Sequence, residues 1–329
     1  MFWEKVRAEF QWDSRNIIFI AVLLLIPISL IMVQEQRLAL LSIISLIPAA
    51  IAGVAPKRKK RVSIVLVGLF MGISILIGAI IKFYMTEIGA AVFIFLLAFA
   101  AALIAAKRNS PIVMTFIVPV IGIGLSMTTI ESALAFMIVI AINAVFAFGV
   151  SLIFPEREVV AQQPQAIMLT EKDAKLYGIA LGAAMAVSTM LSFFWDHSGW
   201  IVGSTGLVMR PYFNKQVSRS LWRAGSIIIG MVIISVAYYY IPEITRTGIF
   251  AMIAILLLAG FHKSTAYITP FFVTFMTFSF LLYPGSNDKL IAQYLLERIV
   301  WVLLGIVIAF IFGQIFMLVR KIRDKKTVV

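Results

Sequence analysis

The sequence predicts an all-α polytopic membrane protein of about twelve transmembrane helices, arranged as two parallel six-helix repeats. Three observations carry that reading. Hydrophobic residues make up 62% of the 329 positions and charged residues only 13%, with a mean hydropathy of +1.04. A soluble core has no use for that excess, whereas repeated apolar runs of about twenty residues suit a hydrocarbon layer of ~30 Å. Lys and Arg gather in alternate loops between the runs, 23 of the 28 falling on one side. The third observation is that stretches of the first half lie over stretches of the second.

Composition also excludes several classes. A net charge of +13 suggests nucleic acid only when it forms a soluble basic face, and here it is dispersed in short loops. There is no cysteine and there are two histidines, so thiolate metal sites, disulfides and a His-rich metal centre are not expected. The acidic residues are scattered one or two per loop, without the paired clusters that hold Mg²⁺, and neither an HExxH spacing nor a Walker motif occurs. The expectation is therefore a non-enzymatic protein with no cofactor, no metal and no nucleic-acid partner.

Taking the chain in order, residues 1–15 are amphipathic and of mixed charge. The apolar run that follows has no small-residue cleavage pattern, so it reads as a retained first span. Apolar runs are expected at about 17–33, 38–55, 62–82, 88–106, 110–127 and 132–154, giving an N-terminal six-helix repeat over residues 1–154. Residues 155–175 contain Gln162, Gln163, Pro164 and Gln165 and read as a cytoplasmic linker. Runs at about 176–194, 198–210, 219–241, 247–261, 265–283 and 291–319 complete a second repeat, residues 176–329, with a short basic tail. RVSIVLVGLFMGISILIGAI (61–80) lies over RSLWRAGSIIIGMVIISVAY (219–238) without a gap, and 106–120 lies over 261–275, placing Lys107-Arg108 on His262-Lys263. Six runs per half keep both halves in the same sense, which implies a pseudo-two-fold along the membrane normal with a shared path at the seam. The loop charges put both termini in the cytoplasm, with Arg37, Lys82, Arg246, Lys289 and Arg298 on the outer side.

The stretch 198–230 departs from this regularity. Its first run, Ser198 to Arg210, spans only ~20 Å as a helix and has Gly203-Ser204-Thr205-Gly206 at its middle. A short, glycine-broken segment beside fixed positive charge is where a substrate path is expected. Ser204 and Thr205 would offer hydroxyls near mid-membrane, Gly206 a close backbone approach, and Arg210 and Arg223 positive potential at the cytoplasmic mouth. Glu297 and Arg298, adjacent in the last run, point about 100° apart and so should each find a separate partner, with Arg298 turned to the helix seam. The secondary candidates are Trp200, Lys215, Arg219, His262 and Lys263.

Each of these features has a plainer reading. Lys215, Arg219 and Arg223 form one i, i+4, i+8 stripe, and the simplest account is that they snorkel to lipid phosphates; an anionic substrate is the alternative. Trp200 and Trp222 read first as interfacial anchors and second as stacking platforms. GLFMG (68–72) and GIALG (178–182) read as close-packing faces, Pro119 and Pro270 as kinks. His262 reads as a loop histidine near headgroups, with a proton relay as the alternative. Asp196-His197 reads as a solvated outer turn.

The run from Trp200 through Met209-Arg210-Pro211 to Arg219, Arg223, Gly225 and Gly230 resembles the fusaric acid resistance protein (FUSC) family, which includes aromatic acid exporters. Plant aluminium-activated malate transporters look like more distant relatives. Glu297-Arg298 to Gly305 repeats the gap from Arg223 to Gly230. The resemblance covers about 170–320, and the first half more weakly through the repeat, where Val65 and Leu134 stand in place of Arg223 and Arg298. The chain also departs from the family in having no sizeable cytoplasmic helical domain after each membrane unit. What the resemblance implies is export of small organic anions, aromatic carboxylates among them, across the cytoplasmic membrane. The membrane potential would drive such an export by ~2.3 kcal/mol per charge per 100 mV. Expected partners are membrane lipid and the anion, and a homo-oligomer is compatible with both. The alternative is a non-transporting membrane scaffold for envelope assembly or a partner complex.

Overall fold

The computed structural model describes residues 10–33, 35–108, 118–158, 170–195, 198–211, 213–240, 243–264, 271–273 and 288–326. Among these residues the regular structure is entirely helical. Six helices among the described residues are long and apolar enough to cross a membrane, and Leu38–Ala52 and Gly248–Gly260 are shorter apolar stretches. Most of the expected run at 265–283, Pro270 included, and the turn at Asp196-His197 lie outside the described residues, as does most of the linker. The chain falls into two compact units, each drawing on both sides of that linker.

Unit 1 comprises 1–72, 135–160 and 225–296. It begins with α1 (Ser14–Leu23) and α2 (Leu25–Met32), two pieces of one apolar span. The break at Leu24 follows from Pro27, whose ring nitrogen cannot donate to Leu23. In the same way α3 (Gln36–Ser45) and α4 (Ile47–Ala52) are parted at Leu46 just before Pro48. Gly53 ends α4 at φ +62°, a conformation L side chains rarely adopt. The basic turn that follows, Arg58–Val62, leads into α5 (Ser63–Tyr84). Arg61 does not face solvent with its neighbours. It is fully buried and donates to the carbonyls of Ala55, Ser151, Phe154 and Pro155, tying the turn to the far end of α8 (Ile130–Ser151). The GLFMG face packs as expected: a Cβ at Gly68 would lie 2.5 Å from that of Ala144, and one at Gly72 3.0 Å from Met137 Cγ. Helix α12 (Glu243–Gly260) packs on α1, α3 and α4.

Unit 2 comprises 73–134, 161–224 and 297–329. Its centre is α6 (Glu87–Arg108) against α9 (Glu171–Ser192), where Gly178 and Gly182 accept the rings of Phe99 and Phe95. Thr170 caps α9 by accepting from the Asp173 amide, so helix begins inside the expected linker. The short helix α10 (Trp200–Val208) packs on α7 (Val118–Leu125) and α9. Pro119 lies within α7, which is described from Val118 onward. Helix α11 (Phe213–Tyr240) starts earlier than the basic stripe suggested, so Arg219 and Arg223 lie within it. The last helix, α13 (Asp288–Lys326), has 39 residues, roughly 58 Å, and far exceeds the hydrocarbon thickness. Its basic end is fixed to the start of α9, where Asp173 accepts Arg320 at 3.1 Å and Arg323 at 2.5 Å.

Candidate functional site

The short helix α10 is where the chain's special chemistry gathers. It has nine residues, ~14 Å, and Ile201 through Gly206 and Val208 are buried. The helix stops at Met209, which is extended (φ −61°, ψ 126°), because Pro211 disfavours the helical conformation at Arg210. Arg210 folds back: Nη1 donates to the Met209 carbonyl at 2.7 Å and the Gly206 carbonyl at 3.4 Å. A cation at a helix C-terminus complements the macrodipole, so Arg210 completes α10 electrostatically. The Tyr177 phenol, wholly buried on α9, donates to the same Met209 carbonyl at 3.1 Å.

Helix α13 approaches α10 through Gly305. A Cβ there would stand 2.5 Å from the Ile201 carbonyl oxygen and 2.9 Å from Ser204 Cβ. Thr205 Oγ1 lies 3.1 Å from the Gly305 carbonyl, 2.9 Å from the Ile201 carbonyl and 2.7 Å from Ser188 Oγ on α9. Its one proton is shared between the two carbonyls while Ser188 donates to it, so Thr205 ties three helices together. Ser204 Oγ, also fully buried, has no hydrogen-bond partner among the described residues. Gly206 lies close to Pro119 and Met185, at 3.2 and 3.3 Å from an added Cβ.

Toward the start of α10 two arginines are buried. Arg298 on α13 is 2% exposed, and its guanidinium carbon sits 3.6 Å above the Trp200 ring centroid. Arg223 on α11 is 1% exposed and near enough for its charge to act on Arg298. Burying an arginine at helix centre costs ~2.5–3.5 kcal/mol on insertion scales. A desolvated cation–π stack offsets up to ~2 kcal/mol of that for Arg298. A second positive charge nearby works the other way and raises the positive potential around Arg298. Such a potential favours an anion.

Two plain readings are corrected here. Arg223 does not snorkel, because it lies about three turns inside α11 and is buried by protein. Trp200 is half-buried and serves as the platform under Arg298, not as a lone interfacial anchor. Arg219, one turn before Arg223, and Glu297, next to Arg298, are half-buried, and the Lys215 side chain lies outside the described residues. His262 and Lys263 belong to unit 1, where both face Asp13, whereas the arginine group belongs to unit 2. Sequence reading missed Ser188, Tyr177 and Gln216, the last fully buried with Nε2 donating to the Ala309 carbonyl. Their signal was polar residues on otherwise apolar helix faces, visible in α9 as Ser188, Thr189 and Ser192.

These features define a multi-pass α-helical membrane protein with a buried cationic group around a short central helix. Residues 180–312 match the family model described as fusaric acid resistance protein-like, so this part of the chain is similar to that family. The matched region holds Ser188, α10, Arg210, Arg223, Arg298 and Gly305. Its match supports the first of the two resemblances; the likeness to plant malate transporters is outside it. No curated protein and no solved structure matches the chain.

Proposed function

We propose that the chain is a membrane transporter moving small organic anions, aromatic carboxylates among them, outward across the cytoplasmic membrane, with both termini cytoplasmic. The observation that carries this reading is the buried pair Arg223 and Arg298, the latter stacked on Trp200 beside a helix too short to cross the membrane. A carboxylate docks bidentately on a guanidinium, and the Trp200 face offers an aromatic ring a place to stack. Ser204 supplies a hydroxyl one turn along α10 from Trp200. Arg210 keeps the inner end of α10 positive, which raises the local concentration of anions.

The test is flux from proteoliposomes loaded in turn with an aromatic carboxylate, an aliphatic dicarboxylate or chloride, under an imposed potential. Wild-type protein should release the aromatic carboxylate fastest. Arg298→Gln should abolish that release while the protein still inserts and melts cooperatively. Arg223→Gln should weaken it in a salt-sensitive way, and Gly206→Leu should block it by driving α10 off Pro119 and Met185. Equal flux in all four proteins would remove the site from the mechanism, and no flux of any anion would remove the transport reading itself.

A further inference from the structure

In unit 1 a second cluster of titratable groups is enclosed, and none of it takes part in the site above. Residues 10–13, just before α1, are strapped across the turn that follows α12. The Asp13 amide donates to the Gly260 carbonyl at 2.8 Å, and the Gln11 amide to Ser264 Oγ at 3.0 Å. The Trp12 and Phe10 rings meet Phe261 edge-on at 4.9 and 6.0 Å. Beneath the strap lies His262, its side chain only 8% exposed.

The two imidazole nitrogens face different chemistry. Nδ1 is 2.9 Å from the Ala259 carbonyl, which also accepts from Asn16 Nδ2 at 2.9 Å. Asn16 Nδ2 also lies 3.2 Å from Nδ1, but its two protons are directed to the carbonyls of Ala259 and Ala50, and the Ala259 carbonyl, which can only accept, takes the Nδ1 proton at 2.9 Å. Nε2 is then the basic nitrogen. It is turned to Gly53, where an added Cβ would come within 2.5 Å, and to Asp13 Oδ2 at 3.8 Å. The same carboxylate oxygen holds Lys263 Nζ at 2.6 Å. Asp13 and Lys263 are the charged groups that face the ring among the described residues; Arg15, on α1, is turned away to Phe154 and the Pro155 carbonyl. The buried Asn16 Oδ1 has no partner among the described residues, so this pocket already holds one unsatisfied acceptor.

We infer that His262 Nε2 is a proton-binding site that governs docking of the N-terminal strap on the turn after α12. A proton taken up there charges a ring that has Gly53 on one edge and must compete with Lys263 for Asp13. Burial holds the His262 pKa below the ordinary 6.5, against the opposing pull of the Ala259 carbonyl and Asp13. Burial pushes the Asp13 carboxyl up, but Lys263 and His262 outweigh it and keep it below its ordinary 3.8, so Asp13 stays an anion through the window. A depressed histidine stabilises the docked state fully above about pH 6.5 and loses that contribution as pH falls through the docked value. Acid therefore releases the strap.

The experiment uses the full chain in lipid nanodiscs, compared at about pH 7.5 and about pH 5. Amide hydrogen exchange, corrected for its intrinsic pH dependence, should show protection of Gln11 and Asp13 falling about tenfold on acidification. His262→Gln should keep that protection constant. Asp13→Asn keeps the helix cap and removes the anion, so release should move to lower pH. The chain has two histidines. In His197→Gln protein a single imidazole NMR signal therefore remains, and it should titrate below the free value. A signal titrating at or above that value overturns the proposal even if His262→Gln fails to fold. Equal loss of protection in wild type and His262→Gln overturns it as well.

Discussion

Gly305→Ala tests the central contact of unit 2 with the smallest perturbation available. The added methyl would lie 2.5 Å from the Ile201 carbonyl oxygen, 2.9 Å from Ser204 Cβ and 3.2 Å from the Thr205 amide nitrogen. Two of these three atoms are backbone and the third is a Cβ, so no flexible side chain can swing away. To reach ordinary contact near 3.5 Å, α13 must retreat from α10 by about 1 Å. The Thr205 to Gly305 hydrogen bond, 3.1 Å now, would then be broken. Overpacking costs ~1–3 kcal/mol and the lost bond ~1 kcal/mol, while alanine's better helix propensity returns ~0.8 kcal/mol. The net expectation is a loss of about 1–3 kcal/mol, at about 2–4 °C of melting temperature per kcal/mol. Gly225→Ala is the control, since an added Cβ on that helical glycine meets nothing within 4 Å among the described residues. It should stabilise by ~0.5–1 kcal/mol. Thermal melts of both variants in one detergent decide the matter. If Gly305→Ala melts with or above Gly225→Ala, the close approach of α13 and α10 is not the constraint described.

Three further outcomes follow from other contacts. Arg61→Ala leaves four carbonyls near α8 without their donor and should lower stability by about 3–5 kcal/mol in thermal melts, with Arg61→Lys recovering only part because it cannot span them all. Asp173→Asn frees the basic end of α13 from α9; those arginines are about one-third exposed, so melting should fall by under ~1 kcal/mol while tryptic cleavage after Arg320 and Arg323 accelerates. Single cysteines at Ser63, Gln163 and Thr327 should resist a membrane-impermeant thiol reagent in intact cells, and labelling at Gln163 from outside would reverse the orientation proposed.

The parts of this fold that were legible in the sequence are those set by local patterning. The brevity of the apolar run at 198–210 foretold a short helix, and α10 is one, although Gly203 to Gly206 do not break it as expected but lie inside it. The spacing in GLFMG and GIALG foretold faces that admit a neighbour closely, and Ala144, Met137, Phe95 and Phe99 fill them. What the sequence hid depends on partners far along the chain. Trp200 reads as an anchor until Arg298, 98 positions later, is placed over it. Arg223 reads as a snorkelling residue while its helix is taken to start at 219; with α11 starting at Phe213 it lies deep inside and faces protein. Arg61 sits in a run of five basic residues, and nothing local distinguishes it from the four exposed ones. His262 likewise reads as a loop histidine near headgroups, because the strap that covers it comes from the opposite end of the chain.

The make-up of the two compact units has a consequence for how the protein is made. Unit 1 needs residues 1–72, 135–160 and 225–296, and unit 2 needs 73–134, 161–224 and 297–329. A ribosome that has delivered only the first half has therefore supplied no complete unit, and early helices must wait in the bilayer for late ones. Contacts such as Asn16 to Ala259 and Asp173 to Arg323 close loops of well over a hundred residues. Loop closure of that length is slow compared with helix formation. Insertion and folding are thus separated in time, and the waiting helices expose to lipid buried polar groups such as Asn16, whose acceptor Ala259 arrives late. Two fragments divided within 155–175 should accordingly be degraded when expressed singly and recovered when expressed together, each acting as the other's missing late segment.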